Sequence, residues 1–74
     1  MYDYSRISGK IKEQFRTQEA FARALGISTA SLSDKLNNKK EWTQTEMLKV
    51  TQLFKVAENH IPVYFFITII KKLS

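Results

Sequence analysis

The chain has 74 residues, with twelve Lys and Arg against seven Asp and Glu, a net charge of +5 and no cysteine. This length allows one small core that packing must stabilise without disulfides or thiolate-bound metals, and the basic charge indicates a polyanionic partner. The chain has one histidine, His60, which we expect in a loop or at a helix end, and two glycines. These counts argue against catalytic, metal-binding and phosphate-loop motifs. We therefore expect a binding protein without enzymatic activity, metal or cofactor.

The spacing of apolar residues over residues 4–15 predicts the first helix. Asp3 is expected to cap it, because its carboxylate can accept from the free amides of the first turn. Gly9 costs about 1 kcal/mol relative to alanine inside a helix, and close packing is one explanation for its presence. Apolar residues recur there at steps of three and four, the period of one helix face: Tyr4, Ile7, Ile11 and Phe15.

Two short helices follow, joined by a tight turn. The second begins after Thr17 as N-cap and ends at Gly26, a residue that tolerates the left-handed backbone common after helices. The third begins after Ser28 as N-cap and runs from about residue 29 to Leu36, ending in the turn-forming pair Asn37-Asn38. The apolar residues expected to lock the two helices together are Phe21, Ala22, Leu25, Ile27 and Leu32.

The fourth helix has the strongest local signature. Thr43 and Glu46 form the pattern T-x-x-E of a capping box, and Trp42 and Met47 occupy the two hydrophobic-staple positions around it. The residues expected to face the core are Met47, Leu48, Val50 and Phe54.

Residues 62–74 form an apolar tail whose structure the sequence leaves open between helix and strand. Pro62 can open a helical turn, whereas the residues after it have high β-propensity. The nearly uncharged run Ile61 to Ile70 is about half as long as a membrane-spanning helix, so no membrane segment is expected, and the start of the chain does not resemble a secretory signal. Part of the tail completes the core, and a dimer or partner interface is an equal alternative for Tyr64, Phe65, Ile67, Ile69 and Ile70.

Residues 17–36 have the spacing of a helix-turn-helix, with small Ala22 at the helix crossing and Gly26 in the turn. The segment Thr17-Gln-Glu-Ala-Phe-Ala-Arg-Ala-Leu-Gly-Ile-Ser-Thr-Ala-Ser-Leu-Ser resembles the Cro/C1-type (lambda-repressor-like) domains of temperate-phage regulators from Gram-positive hosts. This resemblance implies one compact, all-α, five-helix domain over residues 1–74 that binds double-stranded operator DNA in the bacterial cytoplasm, usually as a homodimer. Some small members of that family instead act as anti-repressors that bind the phage repressor protein.

The resemblance also assigns candidate site residues to the second and third helices. Gln18 would contact a phosphate, and the start of the third helix, from Ser28, would lead into the major groove. Base edges would be contacted by Thr29, Ala30, Ser33 and Asp34, and the DNA backbone by Asn38, Lys39 and Lys40.

The third helix departs from this pattern in two ways. Its exposed side carries no Arg, Gln or Asn, the side chains that pair with guanine or adenine, and it carries Asp34, which phosphate repels. The family's last apolar anchor also falls at Leu36, with Lys35 in the usual place. The leading hypothesis is a DNA-binding regulator of a lysis–lysogeny switch, and the alternative is an anti-repressor whose acidic residues contact the basic DNA-binding face of a repressor.

Overall fold

The computed structural model describes residues 1–68. Five α-helices span Ser5–Gln14 (α1), Gln18–Leu25 (α2), Thr29–Leu36 (α3), Gln44–Phe54 (α4) and Ile61–Phe65 (α5), and a 3-10 turn at Glu58–His60 precedes α5. Besides these helices, the described part of the chain has one isolated antiparallel bridge, between Tyr2 and Thr68. The prediction of an all-α fold with five helices is confirmed.

Side-chain caps begin three of the helices where the sequence predicts them. The Thr17 hydroxyl accepts from the Ala20 amide at 3.1 Å, and the Ser28 hydroxyl accepts from the Ser31 amide at 3.0 Å. At the start of α4 the Thr43 amide donates to the Glu46 carboxylate at 2.9 Å, while the Glu46 amide donates to the Thr43 hydroxyl at 3.1 Å. These bonds satisfy amides that the first helical turn leaves free.

The first helix differs from its prediction by one residue. Tyr4 occupies the N-cap position without a side-chain cap, and α1 begins at Ser5. The Asp3 carboxylate still accepts from the Ser5 amide at 2.9 Å, and this hydrogen bond lowers the pKa of Asp3. Asp3 therefore bonds the first turn from one position before the cap.

The core lies where the five helices meet. Rings pack closely within it: Phe21 and Phe54 have centroids 5.3 Å apart, and Trp42 and Phe65 have centroids 5.0 Å apart. Phe15 and Met47 are partly buried against the core. The buried apolar residues are Tyr4, Ile7, Ile11, Phe21, Ala22, Leu25, Leu32, Trp42, Val50, Phe54, Tyr64 and Phe65.

Two predictions about packing are wrong. Leu48 is 37% exposed, and Thr51 is buried in its place at 1% exposure. Val50 and Phe54 set the inward face of α4, and Leu48 lies about 200° around the helix from Val50. The Thr51 hydroxyl donates to the Leu48 carbonyl at 2.7 Å, so its burial leaves no unpaired donor. Close packing does not explain Gly9 either, because a β-carbon there would have no atom within 4 Å.

Within the described residues, the apolar tail forms α5, and Thr68 after it forms the antiparallel bridge with Tyr2. Pro62 lies in the first turn of α5. Tyr64 and Phe65 are 7% and 1% exposed, because α5 packs against α1 and α4, so the partner-interface prediction is wrong for these two residues. Ile67 is 42% exposed, and its carbonyl accepts from the Asp3 amide at 2.7 Å. The predicted interface residues Ile69 and Ile70 lie outside the described residues.

Candidate partner-binding surface

The turn between α2 and α3 is closed by hydrogen bonds to the end of α2. Gly26 adopts a left-handed backbone with φ of 84°, and its amide donates to the Ala22 carbonyl at 2.8 Å. The Ile27 amide donates to the same carbonyl at 3.0 Å, and the Lys49 ammonium donates to the Leu25 carbonyl at 3.0 Å. This bonding explains why a three-residue connection holds the two helices in a fixed arrangement.

One side of α3 faces outward, and we name it the α3 face. Leu32 and Lys35 point inward, with exposures of 0% and 7%. The outward residues have short side chains, which leaves the α3 face open to close approach by a partner. They are Ser28, Thr29 and Ala30, which are exposed, and Ser33 and Asp34, which are half-buried.

The acid of the α3 face is partly neutralised from the following loop. The Lys40 ammonium lies 3.9 Å from the Asp34 carboxylate and donates to the Ser31 hydroxyl at 3.2 Å. Both members of the ion pair remain substantially exposed, so the pair is weak and competes with solvent. Asp34 can therefore exchange Lys40 for a cation on a partner.

Asn38 has a structural role that the resemblance does not imply. Its backbone is left-handed, with φ of 62°. Its side-chain carbonyl accepts from the Tyr2 amide at 2.8 Å, and its side-chain amide donates to the Tyr2 carbonyl at 2.9 Å. The side chain thus joins the start of the chain to the loop after α3. Neighbouring Lys39 is exposed and has no ion-pair partner among residues 1–68.

Lys35 is buried at the position where the family pattern has its last apolar anchor, which the sequence places at Leu36 instead. Its ammonium lies 2.9 Å from the Glu46 carboxylate, donates to the Glu41 carbonyl at 2.8 Å and sits 5.8 Å from the Trp42 ring centre. Burial raises the pKa of Glu46, but the hydrogen bond from the Thr43 amide and the Lys35 ammonium outweigh burial and hold that pKa below its ordinary value. An ion pair therefore joins α3 to the start of α4, while Leu36 is only half-buried.

Gln18 is exposed at the start of α2. It lines a shallow cavity of about 270 Å³ together with Lys12 and Arg16. Gln18 is thus placed beside Lys12 of α1 and Arg16 just after this helix, ten positions before the α3 face begins. The structure brings the predicted residues of α3 together on one face but places Gln18 with a different set of neighbours.

A cleft of about 630 Å³, which no sequence pattern predicts, lies beside the start of the chain. Tyr2 and Phe66 lie at its edge, 39% and 48% exposed, and buried Trp42 and Phe65 also line it. Its walls come from both ends of the described chain and the loop after α3, which no local sequence signal brings together. The Trp42 indole nitrogen is the one buried side-chain polar atom without a hydrogen-bond partner within residues 1–68.

Within the same residues, no helix is long and apolar enough to cross a membrane, and no three His, Asp or Glu side chains cluster as metal ligands would.

One solved structure is similar along most of its length. It is the solution structure of a protein described as the modulator of repression (MOR) of the temperate bacteriophage TP901-1 from Lactococcus lactis. The two chains are 45% identical, the match covers 88% of each chain, and the TM-score is 0.76. No curated protein matches the chain. The resemblance to Cro/C1-type domains stays a prediction, because these comparisons do not name that family.

The model of one protein family, DUF739, matches residues 1–68, nearly the whole chain. The description of that family is "protein of unknown function". The chain belongs to the DUF739 family.

Proposed function

We propose that this protein is an anti-repressor, which binds a phage repressor and blocks its operator binding. The observation that carries this proposal is the similarity to a modulator of repression, at 45% identity over 88% of both chains. The proposal describes a binding protein that acts without enzymatic chemistry or a cofactor in the cytoplasm of a bacterial host.

The chemistry of the α3 face supports a protein partner over a base-reading role. Arg, Gln and Asn pair with base edges through two hydrogen bonds each, and the α3 face has none of them. Its side chains are short, and its charged member, Asp34, is an acid. Phosphate would repel Asp34. A repressor's DNA-binding surface is rich in Lys and Arg, so that surface would attract Asp34.

Glu19 on α2 provides a second acid for such a partner. Its carboxylate lies 3.4 Å from the Arg23 guanidinium, and both side chains are more than two-thirds exposed. An exposed pair of this kind contributes little to stability, so exchanging its partner costs little free energy. Glu19 and Asp34 are the residues we propose to contact repressor cations.

Isothermal titration calorimetry with the phage repressor that we propose as the partner tests the proposal. Asp34→Lys is expected to weaken repressor binding at least about tenfold, because it places like charges opposite each other. Glu58→Lys, on the 3-10 turn before α5, makes the same change in net charge and is expected to leave binding unchanged. In a competition assay, the unmodified protein should release the repressor from labelled operator DNA.

Two results would refute this assignment. Undiminished capture by the Asp34→Lys variant would exclude the α3 face as the contact surface. A repressor that shows no binding to the unmodified protein would exclude the anti-repressor function itself.

Operator binding by α3 is the second candidate function. The capped α2–turn–α3 arrangement and the exposed, unpaired Lys39 favour it, since a lysine at this position can contact phosphate. Saturable binding to the DNA flanking the gene, tighter than to a scrambled duplex, would support it. A homodimer is a further proposal. Of the tail residues predicted to form its interface, Ile67 is the exposed one within residues 1–68.

A further inference from the structure

Neither the α3 face nor the core explains the cations of α1. The ion pairs within residues 1–68 join Arg23 to Glu19, Lys35 to Glu46 and Lys40 to Asp34. The cations of α1 and of the residues just after it take part in none of them, although they make up four of the ten Lys and Arg in those residues. They are Arg6, Lys10, Lys12 and Arg16.

Three of these cations lie along the two edges of one face of α1, and Arg16 lies two residues after the end of this helix. Ile7 and Ile11 are 0% and 2% exposed and fix the inward side of α1. At about 100° per residue, Gly9 and Ser5 then point outward, with Lys12 on one flank and Arg6 and Lys10 on the other. Gly9 and Ser5 are small and exposed, and open space surrounds the position of a β-carbon on Gly9.

Each flank opens into a shallow basic cavity that holds further hydrogen-bond donors. Arg6 and Lys10 line a cavity of about 410 Å³ together with His60 and Tyr64 of the neighbouring elements. On the other flank, Lys12 and Arg16 line the cavity of about 270 Å³ that includes Gln18.

Two acids belong to the same stretch of chain. Asp3 is bound to the Ser5 amide at the start of α1, and Glu13 lies on the exposed side near its end. The stretch still has four cations against two acids, and the acids lie toward the two ends of α1. Glu13 follows Ser5 and Gly9 in the same row of the exposed side, one turn after Gly9, while Lys10 and Lys12 are the charged residues nearest to Gly9 along the chain.

The length of α1 suits a regularly spaced polyanion. The ten residues of α1, Ser5–Gln14, extend over roughly 15 Å. One DNA strand carries a phosphate every 3.4 Å or so of duplex axis, so duplex of that length presents about four phosphates per strand. A small-residue ridge with cations on both flanks lets a sugar–phosphate chain approach the helix closely.

We propose that the exposed face of α1 binds the phosphate backbone of duplex DNA, independently of base sequence and of the α3 face. This surface lies on a different helix from the α3 face: α1 packs against α2 and α5, whereas α3 packs against α2. The protein can thus hold DNA through α1 and leave α3 available to a protein partner. The basic net charge then keeps the protein close to DNA, and this raises the local concentration of the protein near a DNA-bound repressor.

Fluorescence anisotropy with a labelled duplex of random sequence tests this surface. Four phosphate contacts predict a slope of about −3.6 in log affinity against log salt, so affinity falls roughly 150-fold between about 50 and 200 mM salt. The Lys10→Gln/Lys12→Gln variant is expected to lose two contacts, and its affinity to fall only roughly 12-fold over that range. The matched control, Arg23→Gln/Lys55→Gln, removes the same charge from α2 and from the end of α4 and is expected to keep the full slope. A separate variant, Lys39→Gln/Lys40→Gln, tests the loop beside the α3 face.

Three results would overturn the proposal. The first is an equal loss of slope in the Lys10→Gln/Lys12→Gln variant and the matched control, which would mean that charge acts without a defined surface. The second is a loss confined to Lys39→Gln/Lys40→Gln, which would place DNA at the α3 loop. The third is equally tight binding of a polyglutamate peptide of matched charge, which would make the surface a general acidic-partner site. Circular dichroism and thermal unfolding verify that all three variants fold.

The repressor titration separates this proposal from the anti-repressor function. The Lys10→Gln/Lys12→Gln variant is expected to bind repressor as the unmodified protein does. If the unmodified protein binds repressor but the Lys10→Gln/Lys12→Gln variant keeps the full salt slope, the α1 surface alone is overturned. If that variant loses salt slope but the unmodified protein does not bind repressor, the anti-repressor function alone is overturned.

Discussion

Lys35 shows how one charged side chain can replace an apolar anchor between helices. Its ammonium is held by the Glu46 carboxylate at 2.9 Å and the Glu41 carbonyl at 2.8 Å, and its stem is covered by the core. Removing one member of a buried pair leaves the other charge uncompensated, and this costs more than the intact pair contributes. The join between α3 and α4 therefore depends on Glu46 remaining ionised.

Glu46→Gln is expected to destabilise the protein by about 2 kcal/mol at pH 7, a value between those of exposed and buried pairs. Because the pKa of Glu46 is lowered in the folded state from its ordinary value of 4.5, its contribution to stability is fully present above that unfolded value. It is lost as pH falls through the lower folded value. Urea unfolding of both proteins between about pH 7 and pH 3 measures this, and a difference that does not shrink with acid would contradict it.

At the scale of secondary-structure elements, the α2–α3 turn depends on the left-handed backbone of Gly26. A β-carbon there would meet only the Lys49 ammonium at 3.5 Å, an ordinary contact, so the φ of 84° is the main obstacle to substitution. We expect Gly26→Ala to destabilise the fold by about 1–2 kcal/mol through backbone strain. Gly9→Ala is the matched control, in open space within α1, and is expected to stabilise by up to about 1 kcal/mol. Chemical denaturation of both variants should give shifts of opposite sign; shifts of the same sign would refute this explanation.

At the scale of the whole molecule, hydrogen bonds between distant residues join the first residues to the loop after α3 and to the segment after α5. Tyr2 exchanges two hydrogen bonds with Asn38, and the Asp3 amide donates to the Ile67 carbonyl. Asn38→Asp keeps an acceptor for the Tyr2 amide but places a carboxylate oxygen against the Tyr2 carbonyl. We expect a loss of about 1 kcal/mol and a melting temperature lower by roughly 5 °C. An unchanged melting temperature, measured by circular dichroism, would show that this pairing does not contribute to stability.

The parts of the fold that the sequence predicts are those that depend on neighbouring residues. Caps at Thr17, Ser28 and Thr43, and the end of α2 at Gly26, each involve atoms within a few positions of one another. The sequence leaves the secondary structure of the apolar tail open between helix and strand. Residues of high β-propensity form the helix α5 there because packing against α1 and α4 buries them.

The features that the sequence does not predict depend on contacts between distant residues. Asn38 and Tyr2 are 36 positions apart. Lys35 takes an inward position that composition assigns to apolar residues, because Glu46, eleven positions later, reaches it. For the candidate site, local reasoning places the α3 face correctly on one surface, whereas the cleft between the chain ends requires the folded structure.

The packing of Trp42 has a spectroscopic consequence. It is the single tryptophan of the chain and is 7% exposed, with the Tyr4 and Phe65 rings against it and the Lys35 ammonium 5.8 Å away. Its indole therefore reports on the start of the chain, α3 and α5 at one point. Intrinsic fluorescence can follow the cooperative loss of the whole fold, or a partner's effect on the Lys35 pair, without any attached dye.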